Sequence, residues 1–360
     1  MRKLVQRHIQ PLAERHPAIM AVASATAGML RNISIKPYRT RTRRRELALR
    51  REFDQLPSVL CRIYKEKGAG NNPVVVVGGF VPDATEAMEF QRPLLRNFGS
   101  IYYINYPRNG FSAGMFSAQL ADLIDDLNSR GRRPVVMGIS FGAGLLVDFL
   151  RKADEAIHSR IKGLILVSPV MCTQDLVRPD GERSGGVRML ESNLRKILKA
   201  DPSDPEGLSR QVERARRCFT GLFEAGAENR TLSSRHLSIR RKIFGVIENT
   251  SAMGGYQRVL ALRDFREPCS GGTVFAGPAL VLKAEDEQGI LVPSSPGLAF
   301  LNDPSRLKGL FPNVSLRTVL SSDPADPVPH ASLIFHQHCF NPLLESWLDK
   351  IHSELLWAVA

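Results

Sequence analysis

Pro134-Val-Val-Met-Gly-Ile-Ser-Phe-Gly-Ala-Gly-Leu-Leu146 decides how the rest of the chain is read. Val135 to Met137 is a short apolar run of the kind that forms a buried strand. Ala143 to Leu150 has the composition of a helix. Between them Gly138-Ile-Ser-Phe-Gly142 makes a G-x-S-x-G turn. A Ser at the apex of such a turn has its hydroxyl exposed at the carboxyl edge of a sheet. It also lies close to a helix N-terminus, whose free N–H groups favour developing negative charge. The flanking glycines leave room where bulkier side chains would meet neighbouring elements. A plain glycine-rich turn is the bland alternative. A phosphate-binding loop is not, because G-x-x-x-x-G-K-[ST] needs a Lys that this stretch lacks.

Outward from this turn, short apolar runs alternate with amphipathic segments. Ser58 to Lys65 reads as a first strand, and Val74 to Val77 as a parallel strand buried on both faces. Ile101 to Asn105 and Ile161 to Val167 read as further strands. Residues 84–97 suit a helix, and 115–130 form another that stops at Gly131. From about 170 to 275 the pattern is helical throughout, with candidates at 187–199, 207–224, 235–248 and 253–265. Strand character returns at Ala279 to Leu282 and at Val314 to Leu320, and a helix closes the chain from Pro342 to Leu356. The expected fold class is α/β: a mostly parallel sheet with helices on both faces. The division expected is a basic extension over 1–54, a core over 55–170 and 275–360, and a helical insertion over 171–274. In such sheets sites form at the carboxyl ends of the strands.

Charge is unevenly spread. The net +13 is concentrated in residues 1–70, which hold 16 Lys and Arg against 5 Asp and Glu, leaving only +2 for the other 290 residues. Three readings of the basic stretch compete: a solvated extension with a helix packed on the body, an arm (residues 1–51) attaching to an anionic membrane surface, and an Arg-rich targeting peptide. The first is favoured. Without interleaved aromatics a nucleic-acid site is not expected. Five scattered Cys (61, 172, 218, 269, 339) contain no C-x-x-C pair, which argues against a zinc site or disulfide framework and for a reducing, cytoplasmic compartment. No apolar run approaches the length of a spanning helix. The sequence leaves oligomeric state open.

The pattern resembles the α/β-hydrolase family, over about residues 55–170 and 275–355, with 170–275 in the place of that family's variable cap. The G-x-S-x-G turn looks like its nucleophile elbow. Asn105-Tyr-Pro-Arg-Asn-Gly-Phe-Ser112 looks like its D-x-x-G-x-G-x-S loop, with Asn105 for Asp and Arg108 for Gly. Gly78-Gly79-Phe80 looks like its H-G-F turn, with Gly78 for His. The resemblance implies a Ser, acid, His order and a serine hydrolase of the esterase, lipase or thioesterase kind. It also implies an oxyanion hole from the backbone N–H groups of Phe80 and Phe141, and neither cofactor nor metal.

A serine hydroxyl needs a base within hydrogen-bond reach. His330 is the chosen base. It follows the last strand in the loop Ser321 to His330, whereas His336 and His338 fall nearer the terminal helix. The third member must hold the imidazole tautomer. Asp286 is the chosen acid, just past the Ala279–Leu282 strand. Glu285 and Glu287 compete with it, and Asp323 and Asp326 are weaker candidates. The substrate expected is a small-molecule ester or acyl compound. Acyl transfer on the same triad, or a non-catalytic binding protein attached to a membrane through its arm, stand as alternatives.

Overall fold

The computed structural model describes residues 25–26, 29, 31, 33–53, 56–179, 189–228, 230–263 and 272–357. Among these, one sheet is built from β1 (Ile35–Pro37), β2 (Arg62–Glu66), β3 (Val74–Val77), β4 (Ile101–Asn105), β5 (Val135–Ile139), β6 (Gly163–Val167), β7 (Ala279–Ala284) and β8 (Val314–Val319). Their order across it is β1-β2-β4-β3-β5-β6-β7-β8. β3 to β8 run parallel, while β2 is antiparallel to both β1 and β4. The helices are α1 (Arg44–Leu49), α2 (Leu56–Val59), α3 (Ala84–Ala87), α4 (Arg92–Phe98), α5 (Ala113–Asn128), α6 (Phe141–Lys152), α7 (Glu155–Ser159), α8 (Met189–Leu198), α9 (Pro205–Ala227), α10 (Ser234–Asn249), α11 (Ala252–Arg263), α12 (Pro296–Leu301), α13 (Pro304–Leu310) and α14 (Gln337–Trp357).

β3 shows why an unbroken valine run suits the centre of this sheet. Side chains alternate across a strand. Val75 and Val77 therefore enter a core with Phe116, Leu120 and Ile124 of α5 and Leu145 and Leu146 of α6. Val74 and Val76 enter a second core with Leu95 of α4 and Phe340, Leu344 and Leu348 of α14. All four valines are fully buried, each contributing about 1.5–3 kcal/mol relative to exposure.

Two local expectations shift. Residues 56–59 form the turn α2 and the strand begins only at Arg62. Pro57 lies inside that turn, where its fixed φ suits a helix start. The helix expected over 84–97 divides into α3 and α4. Pro93 has no N–H to give the carbonyl one turn back, so it opens a new helix. Between β6 and β7 lie α8, α9, α10 and α11. Leu194, Ile197, Leu208, Val212, Tyr256 and Val259 join α8, α9 and α11 in a core of their own, with Phe80 packed against it. Ile239, Ile243 and Ile247 of α10 pack on Phe90 and Ile334 from the sheet domain.

Part of the basic N-terminal stretch belongs to the body. β1 extends the sheet, and α1 lies on α5. The buried Asp122 carboxylate accepts from the N–H groups of Arg45 (3.2 Å) and Glu46 (3.0 Å) at the start of α1. Arg45 also pairs with Asp125 at 2.6 Å, and the buried Arg31 pairs with Glu86 (2.7 Å) and Glu89 (2.9 Å). The expected charge cluster is, for these arginines, a set of ties to acids on the body. Residues 1–24 lie outside the described residues. Asp122→Ala removes the acceptor for two α1 donors; we expect a loss of about 1–3 kcal/mol in urea unfolding and faster proteolysis within residues 41–52. Unchanged unfolding and cleavage would show that α1 does not depend on this cap.

Candidate active site

The G-x-S-x-G turn is built as a crossing of backbones. β5 ends at Ile139, α6 begins at Phe141, and Ser140 between them has φ 51° and ψ −115°. Its N–H donates to the Val167 carbonyl of β6 (2.8 Å), which ties the turn to the next strand. A β-carbon at Gly142 would stand 2.3 Å from the Gly78 carbonyl oxygen, and one at Gly138 would stand 2.6 Å from Cα of Ala143. Neither position has room for a side chain.

The structure brings Ser140 and His330 together: Nε2 of the imidazole lies 2.9 Å from the serine Oγ. On the other side of the ring, Nδ1 lies 2.5 Å from a carboxylate oxygen of Glu287. A carboxylate facing Nδ1 assigns the proton to that nitrogen and leaves Nε2 to accept from the serine hydroxyl.

The partner of His330 is therefore Glu287 and not Asp286, which corrects the expectation from sequence. Beyond β7 the chain turns through a short 3-10 segment, Glu287–Gly289. Asp286 is its N-cap, and its carboxylate accepts from Gly289 N–H at 3.2 Å. Its own N–H donates to Val328 O at 2.9 Å. Glu285 accepts from the N–H groups of Ser321 (3.1 Å) and Val328 (3.3 Å), so it holds the loop that carries His330. Three consecutive acids thus point three ways. One sequence signal was available: Asp286 stands three residues before Gly289, a spacing typical of an acid spent on a cap.

Glu287 is almost fully buried. Burial is the largest single influence and opposes its ionisation, but the contacts of the carboxylate, the adjacent His330 ring foremost, outweigh it in sum. Together with the Ala284 N–H (2.7 Å) and the Ser168 hydroxyl, the ring holds the carboxyl below its ordinary value. Ser168 also accepts from Ala331 N–H at 3.0 Å, so one hydroxyl touches both the acid and the residue after His330. Ser140, Ser168 and Ala331 are the non-glycine residues with positive φ among those described, and all three lie at this site. Sequence reading did not find Ser168.

The rival histidines are engaged elsewhere. His336 bonds Ser332 (2.9 Å) and lies 3.0 Å from Arg230 and 3.3 Å from Asp326, while His338 lies beside it. Asp326 pairs with Arg230. Asp323 accepts from Ala325 N–H within its own loop.

Phe141 is the first residue of α6, so its N–H has no carbonyl one helical turn back. Gly79 runs beside the serine, with room for a β-carbon 3.6 Å from Cβ of Ser140. The Phe80 ring packs edge-on against Phe141 (5.5 Å) and stacks on Phe219 of α9 (5.4 Å). The departures in this region have local causes. A side chain at Gly78 would meet the Ala84 backbone nitrogen at 2.6 Å. Asn105 donates to Thr85 Oγ1, and Arg108 pairs with Asp83.

A cavity of about 400 Å³ opens over Ser140 and His330. Its walls are apolar: Phe80, Ile139 and Leu333 from below, and Leu190, Leu194, Phe219, Leu222 and Phe223 from α8 and α9. Among the described residues no group of three or more His, Cys, Asp or Glu is placed to hold a metal ion.

No family model matches the chain, and no curated protein does. Solved structures do. An esterase from Thermogutta terrifontis, with malate bound, aligns at 18% identity and a TM-score of 0.52, over 81% of this chain and 94% of its own. An esterase from Exiguobacterium antarcticum aligns at 15% and 0.54, over 80% and 96%. A membrane phospholipase A, described as a bacterial virulence factor, aligns at 13% and 0.57, over 98% and 99%. The fold is the α/β-hydrolase fold. At these identities the likeness speaks for the fold alone. Within this α/β-hydrolase fold, the elbow serine lies at the carboxyl end of β5, and Glu287 follows β7.

Because its carboxyl is held below the ordinary 4.5, Glu287 contributes stability that is fully present above about pH 4.5 and is lost as pH falls through the lower folded value. The difference in unfolding free energy between wild type and Glu287→Gln should therefore be largest at pH 7 and shrink below pH 4.5. A difference that stays constant from pH 7 to the acid limit would contradict this.

Proposed function

We propose that the protein is a serine hydrolase that cleaves carboxylic esters or thioesters of apolar acyl groups through an acyl-enzyme on Ser140. The observation that carries this is the unbroken line Ser140 Oγ, His330 Nε2, His330 Nδ1, Glu287 carboxylate at the floor of an apolar cavity. A serine hydroxyl hydrogen-bonded to a neutral imidazole is an activated nucleophile.

The steps follow from that line. Ser140 Oγ bonds to the carbonyl carbon as its proton passes to His330 Nε2, and the carbonyl π pair becomes an oxyanion. Glu287 stabilises the imidazolium and keeps the ring oriented. The N–H groups of Phe80 and Phe141 are the oxyanion donors in this reading, each worth about 3 kcal/mol in the barrier. His330 then returns the proton to the departing alcohol or thiol, leaving the acyl group on Ser140. Water, deprotonated by His330, repeats the sequence and frees the acid.

In this reading residues 55–170 and 275–360 form the catalytic core and 171–274 the cap. The Leu and Phe side chains of α8 and α9 over Ser140 favour an apolar acyl chain over a charged one. A membrane phospholipase A shares this fold over 98% of the chain, which makes lipid esters the first substrates to try. Among the described residues no helix is long and apolar enough to cross a membrane. The pairing of Arg31 and Arg45 with acids of the body weighs against the alternative of a non-catalytic membrane adaptor acting through the arm.

The test is labelling with a fluorescent fluorophosphonate together with turnover of p-nitrophenyl esters. Wild type should label, and Ser140→Ala and His330→Ala should not. Glu287→Gln should lower kcat on the order of 10³–10⁴-fold. Asp286→Asn, which keeps a good cap residue, should stay within about threefold of wild type. Absence of both labelling and turnover in folded wild type would defeat the proposal. Loss confined to the Asp286 variant would restore that residue as the acid.

A further inference from the structure

Arg258 sits on α11 and is completely buried, the largest fully buried side chain among the described residues. Among the described residues no carboxylate is within ion-pair distance of it, and the nearby Asp83 is held by Arg108. Its guanidinium instead donates to two backbone carbonyls, Pro107 O at 2.7 Å and Phe80 O at 3.3 Å, and lies 5.2 Å from the centre of the Tyr106 ring. Its Nε has no hydrogen-bond partner among the described residues. Burial, partly offset by Asp83, pulls its pKa down to about 10, so it still carries its charge at neutral pH. A buried cation without a paired anion costs several kcal/mol. Packing alone does not explain it, since an apolar side chain of similar length would fill the space without that cost.

The carbonyls it touches indicate its use. The buried Tyr106 hydroxyl donates to Gly78 O at 2.7 Å. Tyr106 and Arg258 therefore hold the carbonyls of Gly78 and Phe80, one on each side of the Gly79–Phe80 peptide. That peptide carries the Phe80 N–H assigned above to the oxyanion. Elsewhere α11 is fixed to the same region: Gln257 accepts from Phe111 N–H at 2.7 Å, and Gly254 packs so closely on Arg108 that a β-carbon would stand 2.2 Å from its carbonyl oxygen.

We propose that Arg258, with Tyr106, is a positioning residue that clamps the Gly79–Phe80 peptide in the orientation its N–H needs to receive the oxyanion. The inference rests on the hydrolase reading of Ser140. The Arg258 charge acts through the loop and touches no reacting atom. A clamp of this kind affects the transition state more than the bound ester, because the oxygen moves toward the donor only as the carbon becomes tetrahedral. Displacing a catalytic group by about an ångström costs on the order of 10²-fold.

The test compares wild type, Arg258→Met, Arg258→Lys and Tyr106→Phe by p-nitrophenyl ester kinetics, fluorophosphonate labelling rate and thermal unfolding. Arg258→Met removes both donors while keeping bulk. It should lower kcat about 10–100-fold with KM within about threefold, and lower the labelling rate in parallel, because the phosphonate adduct also presents an oxygen to the hole. Its Tm should not fall in proportion, since apolar replacement of a buried charge is often neutral or stabilising. Arg258→Lys, with donors but no fork, should recover part of kcat. Tyr106→Phe should lose kcat at unchanged KM, and it carries the test if Arg258→Met does not fold. Wild-type kcat in Arg258→Met, or in Tyr106→Phe where only that variant folds, would overturn the clamp. So would a loss that tracks Tm and that Lys does not relieve. Failure of wild type itself to turn over or label would instead refute the hydrolase reading, and the clamp with it.

Discussion

Two backbones that touch without side chains between them set the geometry of this protein. Gly142, in the first turn of α6, lies against the Gly78 and Val77 carbonyls at the end of β3. The parallel register of β3 and β5 puts Val77, the last residue of β3, opposite Gly138, one residue before the end of β5. The close crossing then carries the start of α6 over the end of β3. The first N–H of α6 and the loop leaving β3 thereby flank one serine side chain. A methyl group at Gly142 would push them apart, and no repacking of side chains restores a contact between main chains. The strained φ of Ser140 belongs to the same arrangement: the turn must reverse from strand to helix at one residue, with its N–H held by Val167 and its carbonyl by Val170.

Polar pairing, more than apolar area, fixes how the peripheral pieces meet this frame. Glu66, Glu86 and Glu89 are buried beneath the N-terminal stretch, and Arg31 and Arg92 satisfy them, with the Tyr103 hydroxyl on Glu66 at 2.8 Å. Buried ion pairs are weak evidence for net stability, because desolvation consumes most of the attraction. Their strength lies in specificity, since an unmatched carboxylate there would be costly. The same rule governs Glu285, Asp286 and Glu287, each of which has a different set of donors. It also explains why the basic character of the chain is a poor guide to partners. Formal charge counts every arginine, while the surface field counts only those without a neighbouring acid.

What could be read from the sequence was what periodicity and close packing write into it. The valine run of β3, the amphipathic α5 and the glycines around Ser140 each leave a pattern that survives without coordinates. His330 was legible because it follows the last strand. Glu287 was not, because adjacent residues in a tight turn point in different directions and neighbouring acids are chemically alike. Only the donors around each carboxylate tell them apart, and those donors come from Ser321, Val328, Gly289 and His330, far away or beyond the turn. β1 was hidden for a related reason: three residues with little apolar character form a strand only because β2 offers an open edge. Arg258 leaves no signal at all, since an arginine on a helix reads as solvated until the helix is seen to press it against two carbonyls.

The helices between β6 and β7 are held against the sheet in different ways. Phe80 is gripped from both sides, by the Phe141 ring below and the Phe219 ring above, while its carbonyl meets Arg258. The four helices described between β6 and β7 are not attached alike. α11 is bound to the sheet domain by polar contacts to main-chain groups at Phe80, Pro107 and Phe111, each needing a specific geometry. α10 rests on Phe90 and Ile334, and the loop before it is tied by Arg230 to Asp326. α8 and α9 meet the cavity over Ser140 chiefly through Leu190, Leu194, Phe219, Leu222 and Phe223, whose contacts are apolar and non-directional. Apolar surfaces can slide and repack at small cost, whereas a buried guanidinium pulled from its carbonyls is left unpaired. A displacement of these helices from the sheet would therefore cost least at α8 and α9 and most at α11.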